Sequence, residues 1–387
     1  MTQDFIDFDS QLSDDELLVR ANARRFVAER VEPLIRKHFR EGTFPVEIGE
    51  ELAELGFFGA NLEGYGCAGM SEVEYGLIMQ EMERCDSGLR SFLSVQSSLA
   101  MFAIHRFGSE EQKERWLPEM AQGAKWGCFG LTEPGFGSNP SGMLTRARED
   151  GGGFVINGEK TWITNGSIAD VAIIWAKHGE TDEVRGYLVE TESPGFTASD
   201  LHNKMSMRAS ITSSLSLVDV KIPKENALPG AIGLKAALAC LTNARHGIGW
   251  GTVGAAESCF ECARDYVVMR KQFADRPLAS HQLVQEELAW MTTEIVKAKL
   301  LALHVGRMKD KGKAHHTHVS MLKRNNAWMA LETARRARDL LGANGITDEF
   351  PIFRHMANLE TVKTYEGTHN VHGLAIGARV TGIGAYL

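Results

Sequence analysis

Near the C-terminal end of the chain, Thr364-Tyr365-Glu366-Gly367-Thr368-His369 sets a carboxylate between an aromatic ring and a glycine, in a stretch otherwise poor in charge. A carboxylate so placed is a candidate catalytic base, because proton abstraction needs a group positioned at its substrate and tuned by its surroundings. Taken alone, the pair Glu366-Gly367 also reads as a capped or solvated turn. Two other segments add to it. Leu131-Thr132-Glu133-Pro134-Gly135-Phe136-Gly137-Ser138 concentrates hydroxyls, glycines and backbone amides, a composition that approaches a polar ring edge or a phosphate closely. Trp162-Ile163-Thr164-Asn165 offers a large aromatic wall beside a hydroxyl, and the two segments together could shield one face and bond one edge of a flat cofactor. Finally, Glu83, Ser87, Arg90 and Ser94 fall at helical spacing and would form one polar stripe among apolar neighbours. Facing solvent the stripe is unremarkable; facing a pocket, Arg90 demands an anionic group on the ligand.

The elements that must position these residues change texture twice. Three capping pairs, Ser13 with Glu16, Ser71 with Glu74 and Ser109 with Gln112, start helices in the first third, where Leu17, Leu18, Ala21, Phe26 and Val27 keep roughly helical spacing. From about Trp126 short runs of β-branched and aromatic residues alternate with Gly, Asn and Pro, and Asn157-Gly158 between two such runs predicts a hairpin. After Gly230 the helical period returns through Ala255–Met269, Leu283–Met308 and Val319–Leu341. The expectation is an α+β protein: a helical part over 1–125, a β part over 126–229 and a helical part over 230–387. The order differs from the alternating strands and helices of a doubly wound nucleotide fold.

Several patterns are set aside. Gly249-Trp250-Gly251-Thr252-Val253-Gly254 matches a dinucleotide-binding spacing but follows no strand, and close helix packing explains its glycines better. Cys259 and Cys262 have no second pair, and His315, His316 and His318 follow a lysine-rich stretch that reads as an exposed loop, so no metal site is expected. Arg335, Arg336 and Arg338 read as a solvated or intersubunit helix face. A formal charge of −8 over 387 residues argues against a nucleic-acid surface or an anionic membrane as partner. Met1–Asp7 has the character of neither a signal nor a transit peptide, no apolar run reaches membrane-spanning length, and six scattered cysteines suit a reducing compartment. A cytoplasmic bacterial protein is expected, with a mature mitochondrial matrix protein as the alternative.

With these segments in order, the chain resembles the acyl-CoA dehydrogenase family nearly end to end. The resemblance is carried by Leu131–Pro134 with Gly137-Ser138, Lys160–Asn165, Arg208 with Ser210, Arg270-Lys271-Gln272-Phe273, Leu341–Gly345 and Tyr365–His369. It implies an FAD enzyme, a homotetramer, that passes electrons to electron-transfer flavoprotein. By the same resemblance Phe129, Leu131, Thr132, Gly137, Ser138, Trp162, Thr164, Gly342 and Thr368 would contact FAD, and Arg270, Gln272 and Phe273 would reach the FAD of a neighbouring subunit. Glu366 would remove the α-proton of an acyl thioester while the β-carbon gives hydride to flavin N5, and Arg245 would bind the CoA portion or order the base loop. Some members carry the base one position before that arginine; Ala244 stands there and cannot serve.

Glu83–Gln96, Leu341–Glu349 and Thr364–His372 resemble the glutaryl-CoA dehydrogenase branch. This implies that Arg90, with Ser94, binds a distal carboxylate, that Glu83 and Tyr365 support the pocket, and that glutaryl-CoA is converted to crotonyl-CoA and carbon dioxide. The alternatives are a relative acting on another carboxy-acyl or carrier-bound thioester without decarboxylation, and a non-catalytic or DNA-binding member, which would show a basic face or lack the carboxylate. Asn139, Asn370 and the order Ala378-Arg379 depart from the family pattern of Asp, Asp and Arg-Ala.

Overall fold

A computed structural model describes residues 4–385, so Met1–Gln3 of the leader reading lie outside the described residues. Seven helices come first: α1 (Asp14–Phe26), α2 (Glu32–Glu41), α3 (Ile48–Glu54), α4 (Glu72–Cys85), α5 (Ser87–Ser94), α6 (Phe102–Phe107) and α7 (Glu110–Ala121). All three expected capping boxes form, at Ser13, Ser71 and Ser109. On α1 the buried face is Ala23 and Phe26 followed by Val27, while Leu18 and Ala21 are exposed, so the expected apolar spacing is only partly the packing face. A π-helical segment, Val95–Met101, joins α5 to α6 in one rod.

Strands β1 (Gly127–Gly130), β2 (Arg146–Asp150), β3 (Gly153–Thr164), β4 (Val171–His178), β5 (Val184–Glu190), β6 (Phe196–Asp200), β7 (Thr212–Pro223) and β8 (Ala227–Ile232) form one sheet of order β6-β7-β3-β2-β4-β5-β8, with β1 parallel to β4. Strand alternation divides the core. Val171, Ile173 and Trp175 of β4 face the cluster shared with the N-terminal helices, while Ala172, Ile174 and Ala176 face the sheet's own cluster. After the small hairpin β9 (Lys271–Gln272) and β10 (Arg276–Pro277), which follows α8 (Leu234–Met269), the C-terminal helices are α9 (Gln282–Asp310), α10 (His316–Leu340), α11 (Ile352–Thr364) and α12 (His369–Thr381). The helical, β and helical order agrees with the sequence reading.

The expected Asn157-Gly158 hairpin does not form. β3 runs unbroken through both residues, and its pairing with β7 shifts register between Ile156 and Gly158. Asn157 spans the bulge, accepting from the Asp219 backbone N–H and donating from Nδ2 to Asp219 Oδ1, both at 2.9 Å. A Cβ on Gly158 would lie 2.6 Å from Thr145 Cβ, so the glycine serves close approach within a strand.

The glycine run in α8 packs helices together. A Cβ at Gly249 would meet Leu322, one at Gly251 would meet Glu83, and one at Gly254 would lie 1.9 Å from the Gln80 carbonyl oxygen of α4. Gly254→Ala is therefore expected to force α4 and α8 apart and to destabilise the fold by on the order of 1–3 kcal/mol, read as a lowered Tm with unchanged secondary structure.

His315 and His318 also depart from the expected loop. His315 is the N-cap of α10, accepting from the Thr317 backbone N–H, and His318 Nδ1 accepts from the His315 backbone N–H. Arg335 pairs with Glu332 and Glu360, and Arg336 pairs with Glu287. Among the described residues no group of His, Cys, Asp and Glu could hold a metal ion, no helix is long and apolar enough to cross a membrane, and all six cysteines are free.

Candidate active site

Between the sheet and the helices lies a cavity of about 1500 Å³. Its lining brings together Arg90, Ser94, Phe129, Leu131, Thr132, Gly137, Ser138, Trp162, Thr164, Arg245, Tyr365, Glu366 and Thr368, residues spread over most of the chain. Glu83 lies behind Arg90. Gly342 and the β9–β10 residues Arg270, Gln272 and Phe273 do not line the cavity; Arg270, Gln272 and Phe273 are exposed, and three successive residues, Phe273, Ala274 and Asp275, hold left-handed backbone angles.

Glu366 occupies the tight link between α11 and α12. Its φ is 53° and that of Gly367 is 92°, and a side chain at 367 would crowd the His372 ring, 2.9 Å from Nε2. The Glu366 carbonyl accepts from Arg245 Nε at 2.6 Å and from His372 Nε2 at 3.2 Å. Burial pushes His372 down to about 3, so the ring is neutral and its proton resides on Nε2 to make that bond. The Thr368 hydroxyl caps α12 by accepting from the Val371 N–H. Glu366 Oε2 is shielded from solvent and has no hydrogen-bond partner. Burial raises this carboxyl above the ordinary range, against the pull of Arg245, Arg90 and Lys323. An unsatisfied buried carboxylate oxygen costs folding free energy, which marks it as a functional group.

The polar stripe is real but does not lie on one helix. Asp86 ends α4 and caps α5, accepting from the Gly88 N–H at 2.7 Å, so Glu83 lies on one helix and Ser87, Arg90 and Ser94 on the next. They still meet: Ser87 Oγ donates to Glu83 Oε1 at 2.8 Å and Arg90 Nε donates to Glu83 Oε2 at 2.7 Å. Arg90 Nη2 donates to the Tyr365 hydroxyl, beside Glu366. Asp86 also accepts from Asn358 Nδ2 and pairs with Arg354, while Asn358 Oδ1 accepts from the Met207 N–H. This network ties α5, α11 and the loop before β7 around the cavity.

On the sheet side, Trp162 has φ 61° and is 64% exposed. Its neighbour Thr161 leaves the β7 ladder and donates to the Thr132 carbonyl at 2.9 Å. Lys160 fixes the same loop from below, donating to Glu133 Oε1 at 2.8 Å and to the Leu131 carbonyl at 3.2 Å. An open indole on a strained backbone, sharing the cavity lining with Thr132, Ser138 and Thr164, fits a planar aromatic ligand such as an isoalloxazine.

Two cavity-side lysines, Lys204 and Lys323, were missed from the sequence, and Arg208, there only part of a resemblance motif, has a structural role. Lys204 lines the cavity with its ammonium on the Ser210 carbonyl and Thr212 Oγ1. Arg208 clamps the end of α2, donating to the Phe39 and Arg40 carbonyls. Lys323 is buried under the Glu366 loop. Its signal is a lysine on the inward stripe Val319, Leu322, Asn326 and Ala330 of α10.

Comparisons with known proteins give the family. Models of the acyl-CoA dehydrogenase N-terminal, middle and C-terminal domains match residues 13–124, 128–220 and 232–381. The chain is 32% identical over 372 residues to the mitochondrial short-chain specific acyl-CoA dehydrogenase of Mus musculus, covering 95% of this chain and 90% of that protein. A crystal structure of glutaryl-CoA dehydrogenase from Mycobacterium smegmatis superposes with a TM-score of 0.96 at 52% identity, covering 98% of this chain and 97% of that one. A second, in complex with FADH2, has the same TM-score at 50% identity, covering 98% of each. With three domain models in register and full-length relatives on either side, the chain belongs to the acyl-CoA dehydrogenase family.

Proposed function

We propose that this protein is an FAD-dependent glutaryl-CoA dehydrogenase that converts glutaryl-CoA to crotonyl-CoA and carbon dioxide. The observation that carries the reading is Arg90, a buried cation in the same cavity as the unpartnered carboxylate of Glu366. Glu83 and Tyr365 hold the guanidinium at that depth, where it offers a cation to an anionic acyl end. Arg90, with Ser94, binds the distal carboxylate and so fixes the acyl chain with its α-carbon at Glu366.

Trp162, Thr132, Ser138 and Thr164, with Phe129, Leu131, Gly137 and Thr368, line the cavity and would hold FAD, whereas Gly342, outside the cavity, would not reach this subunit's flavin; when bound, FAD would supply the two-electron acceptor for the hydride leaving the β-carbon. Glu366 takes the α-proton, and its own backbone N–H, with the carbonyl side already engaged by Arg245, polarises the thioester carbonyl. Oxidation leaves a double bond conjugated to the thioester. The distal carboxylate then departs as carbon dioxide, its electron pair passing into the thioester enolate, and protonated Glu366 returns a proton to the terminal carbon. Arg270, Gln272 and Phe273, on an exposed hairpin beside exposed Met269, reach the FAD of a neighbouring subunit in a homotetramer, and electron-transfer flavoprotein receives the electrons.

Anaerobic mixing of the yellow holoenzyme with glutaryl-CoA is expected to bleach the flavin and release crotonyl-CoA and carbon dioxide, identified by mass spectrometry. Glutaconyl-CoA alone would reject decarboxylation while keeping the dehydrogenase. No bleaching would reject glutaryl-CoA as substrate.

A further inference from the structure

Besides Arg245 and His372, a buried lysine bonds to the loop that carries Glu366. Lys323 of α10 is 1% exposed, and its ammonium donates to the carbonyls of Lys363 at 3.3 Å, Tyr365 at 2.9 Å and Gly367 at 2.9 Å. The last two bracket Glu366, whose left-handed backbone costs on the order of 1 kcal/mol or more for a residue with a side chain. Burying an ammonium against neutral carbonyls is expensive where no carboxylate is hydrogen-bonded to it. What the arrangement does fix is the direction in which Glu366 leaves the backbone.

We propose that Lys323 is the positioning residue for the Glu366 carboxylate: its ammonium clamps the turn on both sides of the base, and its charge favours the ionised form. The proposal rests on Glu366 being the base. Charged and titratable groups face Lys323 from every side: Glu366 and Tyr365 on the loop, Arg245 from α8, Arg90 from α5, Glu83 from α4, and His369 and His372 from α12. Burial pulls the lysine down to about 7, Glu366 and Glu83 opposing and Arg245 and Arg90 reinforcing. The clamp therefore loses its charge as pH rises through neutrality.

The test compares FAD-loaded wild type, Lys323→Met and Glu366→Gln with glutaryl-CoA across pH, with Tm and flavin content as controls. Lys323→Met is expected to lower kcat about tenfold or more, since small displacements of a catalytic group are costly. It is also expected to move the acidic limb of kcat/KM upward by about one pH unit, because a cation next to the carboxylate is gone. A lysine that served packing alone would lower the rate without moving the limb, so a loaded variant with an unmoved limb overturns the proposal. Should Lys323→Met not fold, the wild-type profile decides: the alkaline limb must shift with temperature as an ammonium ionisation does, and a temperature-insensitive limb overturns it. If Glu366→Gln retains turnover, the base assignment itself fails; if it is inactive while the Lys323→Met limb is unmoved, only the role of Lys323 fails.

Discussion

Glu366→Gln is expected to lower kcat with glutaryl-CoA by about 10²–10⁴-fold while leaving Tm and flavin content close to wild type. The amide keeps the size of the side chain and leaves the clamped carbonyls untouched, since none of the bonds to the loop from Arg245, Lys323 and His372 uses the Glu366 side chain. What disappears is the proton acceptor, and with it the negative charge that faces Arg245, Arg90 and Lys323. The wild-type pH profile supplies an independent reading of the same group. A base acts only when ionised, so activity rises with pH through its pKa. Because burial raises that pKa, the acidic limb of kcat/KM is expected above the value of about 4.3 of an ordinary glutamate. An acidic limb at or below that value, or a variant retaining more than a tenth of wild-type turnover, would move the base elsewhere.

The parts of this site legible in the sequence are those whose chemistry is local. Glu366 is picked out by its immediate setting between Tyr365 and Gly367 in a charge-poor stretch, and the helix starts at Ser13, Ser71 and Ser109 are closed within four residues. The misreadings share the opposite property. Asn157-Gly158 has the local signature of a turn, but Thr145 and Asp219 make it a bulge. The break at Asp86 is fixed by Asn358 and Arg354, far along the chain, so the polar stripe spans two helices where spacing alone implies one. Lys323 looks like any helical lysine until its partners at 363, 365 and 367 are in place. The left-handed turn at Trp162, likewise, depends on Thr161 leaving one strand partner for the loop at Thr132.

Arg90→Met separates substrate recognition from chemistry. Removing the guanidinium is expected to cost about 2–5 kcal/mol, or on the order of 10²–10³ in kcat/KM, for glutaryl-CoA, because the distal carboxylate then enters a buried pocket without a cation. Butyryl-CoA, of similar length and with a neutral end, has no such partner to lose and is expected to be affected far less, so the ratio of the two kcat/KM values carries the result. Two further effects must be kept apart from recognition. Glu83 is fully buried and pairs with Arg90, so the single variant strands a carboxylate and is expected to lower Tm. Arg90→Met with Glu83→Gln relieves that charge and should recover stability without recovering activity on glutaryl-CoA. The guanidinium also donates to the Tyr365 hydroxyl, one residue before the base. If its principal work were to steady that loop, both substrates would lose activity in equal proportion, and equal losses would remove the anionic tail from the assignment. A selective loss in the double variant, where the stranded carboxylate no longer contributes, leaves recognition of the distal carboxylate as the role of Arg90.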